Sequence, residues 1–246
     1  MKKGWHLFRH AAAMILRDLP GTLRVTLPPY LIGAICLAVM IAHWPEATLG
    51  APNDEEMSLP GTGYFLGSIG LWFSMLWMAV LWHRWVLLGE MPETVPPLYP
   101  GRLAAYFWKG LLISLILIPA ILIVAVPAGI ALFGAGVPQA DLIMTFLTSA
   151  VALGIFGRFC PVLPAAAVGR SMGLREGWSA TAGATGPIVV ASILLAAVTT
   201  LPPIVFTDVI LIDVAVQIVV QWVLTLLGAS LMTTIYGHYV EGLELT

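Results

Sequence analysis

The sequence predicts an all-α fold: a polytopic membrane helix bundle of about six transmembrane helices, with short interfacial cytoplasmic helices and a pattern of three repeated hairpins. Three observations carry this reading. The 246 residues are 59% hydrophobic and only 10% charged, where a soluble domain carries about 25% charged residues. The mean hydropathy is +0.95. Six charge-poor apolar runs stand out, five of them long enough to cross a bilayer and the fourth only if it is extended, and the connections between them alternate between basic and acidic.

A hydrocarbon core of about 30 Å needs roughly 20 helical residues at 1.5 Å each. The six runs are 25–44, 64–82, 110–134, 142–157, 187–206 and 214–236. The fourth is short unless it continues through Phe159 and Cys160 toward Pro161 and Pro164, which disturb a helix. Pro119 and Pro127 in the third run and Pro202 and Pro203 in the fifth should kink or break their helices. Six spans use nearly the whole sequence, so residues 1–246 form a single integral membrane domain.

All 11 Lys and Arg residues fall before the first run, between the second and third, or between the fourth and fifth. The opposite connections hold Glu46, Asp54, Glu55, Glu56, Asp141, Asp208 and Asp213 with no Lys or Arg. By the positive-inside rule the basic side is cytoplasmic, which puts both termini there and fits a bacterial inner membrane. Trp44 marks the outer end of the first span, and Trp5, Trp82, Trp85, Trp108 and Trp178 cluster at the inner face. Trp72, Trp77 and Trp222 lie deeper and read as packing residues. Residues 1–24 read as a retained cytoplasmic segment with an interfacial helix: Trp5, Phe8, Ala12, Ile15, Leu16 and Leu19 share one face, away from His6, Arg9, His10 and Arg17.

An internal pattern emerges at the inner ends of the even-numbered spans. Trp82-His83-Arg84-Trp85, Phe156-Gly157-Arg158-Phe159 and Tyr236-Gly237-His238-Tyr239 share the form aromatic, any residue, basic or His, aromatic. Chance composition gives roughly 0.2 such tetrads, raised several-fold by interfacial enrichment. Short mixed-polarity segments at 7–19, 102–109 and 174–181 precede the odd spans. The chain therefore divides into candidate repeats 5–88, 100–163 and 173–239. Arg84, Arg158 and His238 become candidates for binding lipid phosphate or capping helix carbonyls.

Other chemistry is sparse. No Asp, Glu, Lys or Arg stands near the centre of a run, which argues against proton relays, ion pumps and voltage sensors. No zinc, nucleotide, nucleic-acid or cofactor motif is present, so neither a metal nor a cofactor is expected. Cys36 and Cys160 lie toward opposite faces and read as reduced packing residues. Asp213, Gln217, Gln221 and Thr225 recur every four residues, a polar stripe that should face protein or a wet cavity. Gly63, Gly67, Gly70 and Ser74 form a small-residue face suited to close helix packing, within the chain or against a second copy.

Residues 158–185 (RFCPVLPAAAVGRSMGLREGWSATAGAT) run from a span end through a Leu-Pro-Ala-rich turn and a short mixed helix into the next span. This layout resembles the six-span YciC-like and glycerophosphodiesterase membrane-domain families, and the whole chain is similar to uncharacterised inner-membrane proteins of the alphaproteobacterial type. The resemblance implies a membrane-embedded module without its own active site. The expectation is a non-enzymatic accessory subunit, assembly factor or envelope-homeostasis component, meeting membrane lipids and other membrane subunits or itself, but no nucleic acid. A transporter or channel for a neutral or amphipathic solute is the alternative, using the Gln217 and Gln221 stripe and the proline-bearing helices.

Overall fold

Inside hydrocarbon a backbone satisfies its amides only within a helix or a closed barrel, and this chain takes the helical solution. The structure, a computed structural model, describes residues 2–43, 60–91, 96–200 and 210–245. Among these, the α-helices are α1 (Lys2–Arg17), α2 (Leu19–Ala42), α3 (Thr62–Leu88), α4 (Pro100–Gly134), α5 (Ala140–Phe159), α6 (Val162–Val168), α7 (Leu174–Ala180), α8 (Thr185–Thr200) and α9 (Ile210–Tyr239). Six of them, α2, α3, α4, α5, α8 and α9, are long and apolar enough to cross a membrane. The protein is a multi-pass helix bundle.

Local chemistry sets the boundaries. Asp18 stops α1 and caps α2, accepting the Gly21 amide at 3.0 Å through Oδ1. Gly89 and Gly169 end α3 and α6 in the left-handed region, at φ 70° and 90°. Cys160 and Pro161 separate α5 from α6, and Pro164 falls in the first turn of α6, where a missing amide does little harm.

Several expectations are corrected. The segment 102–109 is not a separate interfacial helix, because α4 begins at Pro100 and runs unbroken through Pro119 and Pro127. Pro202 and Pro203, Trp44, and the acids 46, 54–56 and 208 lie outside the described residues. Trp82, expected at the inner face, is fully buried within the bundle, and Trp72 is not a packing residue but lies 71% exposed on the outside of the bundle. In α1 the buried stripe is Gly4, Leu7, Ala11 and Ile15, while Trp5 and Leu16, and Leu19 at the start of α2, remain outside. The reason is backbone proximity: a Cβ at Gly4 would lie 2.6 Å from Val190 Cβ and 2.7 Å from the Pro187 carbonyl. α1 therefore packs into the bundle against α8 and α9 instead of only resting on a membrane surface.

Two apolar clusters form the interior. One joins α1, α8 and α9 through Leu7, Ile188, Leu195 and Leu226, with Trp82 of α3. The other gathers α3, α4 and α9 around α6, whose residues from Val162 to Ala167 are all buried. The helix pairs are not packed alike. α2 and α3 touch along their whole length, whereas α8 and α9 meet only slightly; α8 packs on α5 and α1, and α9 on α1 and α3.

Candidate functional site

The polar side chains that the structure brings together lie mainly at the basic end of the bundle. His83, in the unspecified position of the first tetrad, is fully buried where α3, α4 and α9 meet. Thr233 Oγ1 donates to the Ala229 carbonyl at 2.9 Å, so it accepts from His83 Nδ1 at 2.8 Å. The opposite nitrogen, Nε2, then accepts from the Tyr106 hydroxyl at 3.1 Å. This fixes a neutral Nδ1–H tautomer and ties three helices with a closed hydrogen-bond chain. Sequence reasoning missed it, having weighted the adjacent Arg84; no periodicity distinguishes a residue facing protein from one facing lipid when both neighbours are apolar.

The three tetrad residues each bond a backbone carbonyl, although not in their own helices as expected. Arg84 donates through Nη1 to the Ala167 carbonyl in the last turn of α6, at 2.9 Å. Its Nε and Nη2 grip Glu90 at 2.8 and 2.6 Å, and its guanidinium stacks 4.1 Å from the Tyr99 ring centroid. Arg158, only 8% exposed, donates to Thr181 Oγ1, Thr185 Oγ1 and the Trp178 carbonyl in the last turn of α7. It also stacks on the Trp178 ring. Two buried or half-buried guanidiniums thus cap two short helices, where a cation complements the C-terminal dipole. His238 donates from Nδ1 to the Leu243 carbonyl at 2.8 Å, since a carbonyl can only accept, and so folds the C-terminal residues back.

A further cation of α4 holds the α6–α7 connection. Lys109 Nζ donates to the Met172 carbonyl at 2.6 Å. Gly169, at φ 90°, favours glycine by its backbone conformation, while the Arg102 guanidinium beside it could swing away from an added Cβ.

The remaining expected groups fall elsewhere. Gly63, Gly67, Gly70 and Ser74 face α2 within the same chain: a Cβ at Gly67 would lie 2.7 Å from the Cys36 carbonyl, and one at Gly70 2.5 Å from Cys36 Sγ. Ser74 donates its hydroxyl to the Pro29 carbonyl. The polar stripe of α9 does not turn wholly inward. Gln221 is exposed on the outside of the bundle, Gln217 and Thr225 are half-buried, and the Asp213 side chain lies outside the described set. Thr225 donates to the Gln221 carbonyl of its own helix. α9 is tied to α2 by Tyr30, which donates to the Ile218 carbonyl at 2.7 Å, and by Trp222, which donates to Thr26 Oγ1 at 3.1 Å.

Two cavities stand out among the described residues. One, of about 660 Å³ between α3 and α4, has apolar walls including Trp72, Phe73, Phe107 and Trp108. The other, of about 970 Å³, lies at the basic end between α1, the ends of α3 and α9, and residues 243–245. Neither reaches Gln217 or Gln221. Cys36 and Cys160 are free thiols, and burial pushes the Cys160 thiol up. Among the described residues no three His, Cys, Asp or Glu side chains gather as a metal site would require. No family model, curated protein or solved structure matches the chain.

Proposed function

We propose that this membrane protein works through its helix surfaces and has no catalytic centre of its own, serving as an accessory subunit, assembly factor or envelope-homeostasis component in a bacterial inner membrane. The observation that carries this reading is how the polar groups at the basic end are used. Arg84, Arg158, Lys109 and His238 each bond the chain's own backbone, and His83 is consumed in a closed chain of neutral partners. Groups spent on holding the fold are poorly placed to carry an acid-base or nucleophilic step. A solute path along the stripe is favoured less, since Gln221 lies on the outer surface of the bundle.

Gentle purification of the tagged chain, followed by quantification of co-purifying proteins, tests the reading. A membrane partner at near-stoichiometric yield is expected; solute flux through proteoliposomes of the chain alone would reject it. The proposed orientation, basic side cytoplasmic, follows from the charge partition. A cysteine at Asn53 should react with an impermeant thiol reagent in spheroplasts, and one at Gly101, where a side chain meets open space, should not. Reversed labelling would overturn it.

A further inference from the structure

The cavity of about 970 Å³ at the basic end has a divided lining. One wall is apolar, built from Met14 and Leu16 of α1, Trp85 and Val86 of α3, and Leu243 and Leu245. Its rim carries both signs of charge: Arg17 and Asp18 at the turn between α1 and α2, and Glu244 on the C-terminal segment. Among the described residues, Arg17 and Glu244 make no hydrogen bond or ion pair. Asp18 gives one oxygen to the Gly21 amide and keeps the other. His238, held through Nδ1 to Leu243, leaves Nε2 for a ligand.

This combination selects among ligand classes. A purely apolar guest would use the apolar wall but make no use of the exposed cation and two carboxylates that ring it. A simple anion would answer Arg17, face repulsion from Asp18 and Glu244, and leave the apolar wall bare. A guest with a phosphate, an ammonium and a hydrocarbon chain satisfies all three. The cavity also stands where such molecules are concentrated, at the basic ends of spans α3 and α9 beside the amphipathic α1.

We infer that this cavity binds a zwitterionic phospholipid with a primary ammonium, its phosphate toward Arg17, its ammonium N–H groups donating to Asp18 and Glu244, and an acyl chain along Met14, Trp85 and Leu243. The inference needs the bundle to sit in a membrane but is independent of whether the protein serves a partner.

The test is lipid retention by the full-length chain. Protein reconstituted in nanodiscs of phosphatidylglycerol mixed equally with either phosphatidylethanolamine or phosphatidylcholine is released into mild detergent, and bound lipids are counted by native mass spectrometry. One phosphatidylethanolamine should be retained at least several-fold above the other two. Arg17→Gln with Glu244→Gln should abolish the preference, and Ala13→Trp, from an exposed position on the lining, should block binding altogether. Equal retention of all lipids, or preference unchanged in the charge variant, overturns the site, and phosphatidylcholine retained as well as phosphatidylethanolamine overturns the ammonium contact with Asp18 and Glu244. Preference for phosphatidylglycerol that survives Glu244→Gln overturns the zwitterion assignment. The charge variant alters only exposed side chains, so the test stands even if Ala13→Trp folds poorly.

Discussion

The pair α2 and α3 and the pair α4 and α5 are both antiparallel apolar hairpins in sequence, yet they are built differently. α4 is the most apolar span, but only 6% of its most apolar stretch is buried, against 39% in α3. In α3, Gly67 brings backbone against backbone, with its absent Cβ 2.8 Å from the Met40 amide nitrogen. In α4, a Cβ on Gly129 would find only ordinary contacts at 3.9 Å, and one on Gly110 would meet nothing within 4 Å. Lipid tails solvate Leu and Ile as well as a protein interior does, so hydropathy moves a helix into the membrane without choosing its neighbour. Close approach depends on small residues and on polar groups needing partners.

The largest expected effect tests that contrast directly. Gly67→Leu should cost about 1 to 3 kcal/mol or more, because the atoms it meets are backbone and cannot swing aside. Gly110→Leu should stay within about 0.5 kcal/mol. The readout is the thermal midpoint of detergent-solubilised protein by fluorescence-detected gel filtration; equal shifts for the two variants would erase the distinction between the hairpins.

Next comes the buried chain of α3, α4 and α9. His83→Phe strands the Tyr106 hydroxyl and should cost about 1 to 3 kcal/mol. Adding Tyr106→Phe should recover part of that loss, since both partners are then apolar. Additive losses in the double-mutant cycle would mean that the two side chains are not coupled.

A smaller effect separates the two arginine caps. Arg158→Lys keeps the charge but loses the fork that reaches Thr181, Thr185 and the Trp178 carbonyl, and should cost about 1 kcal/mol. Arg84→Lys should cost less, because its ion pair is with the exposed Glu90. The opposite ranking in the same thermal assay would show that exposure does not govern these sites. The smallest change is expected at Gln221→Leu, within about 0.5 kcal/mol, because that side chain faces outward. A large loss would place it in an interhelical contact after all.

The sequence by itself determined that the chain is a bundle of about six membrane-spanning helices, because transfer of an apolar segment into hydrocarbon depends on that segment alone. It also marked the close face of α3, since four small residues at helical spacing have few other uses. The tertiary structure decided the rest. It chose the Gly4, Leu7, Ala11 and Ile15 stripe of α1 over the stripe bearing Trp5 and Leu16, because only the former lets α8 and α9 come near. It aimed Arg84 and Arg158 at carbonyls 83 and 20 residues away in sequence, and buried His83 beside Tyr106 and Thr233. Those outcomes are properties of pairs of surfaces: they depend on which backbones can approach and which polar atoms would otherwise go unpaired, and neither is written in the composition of a single helix.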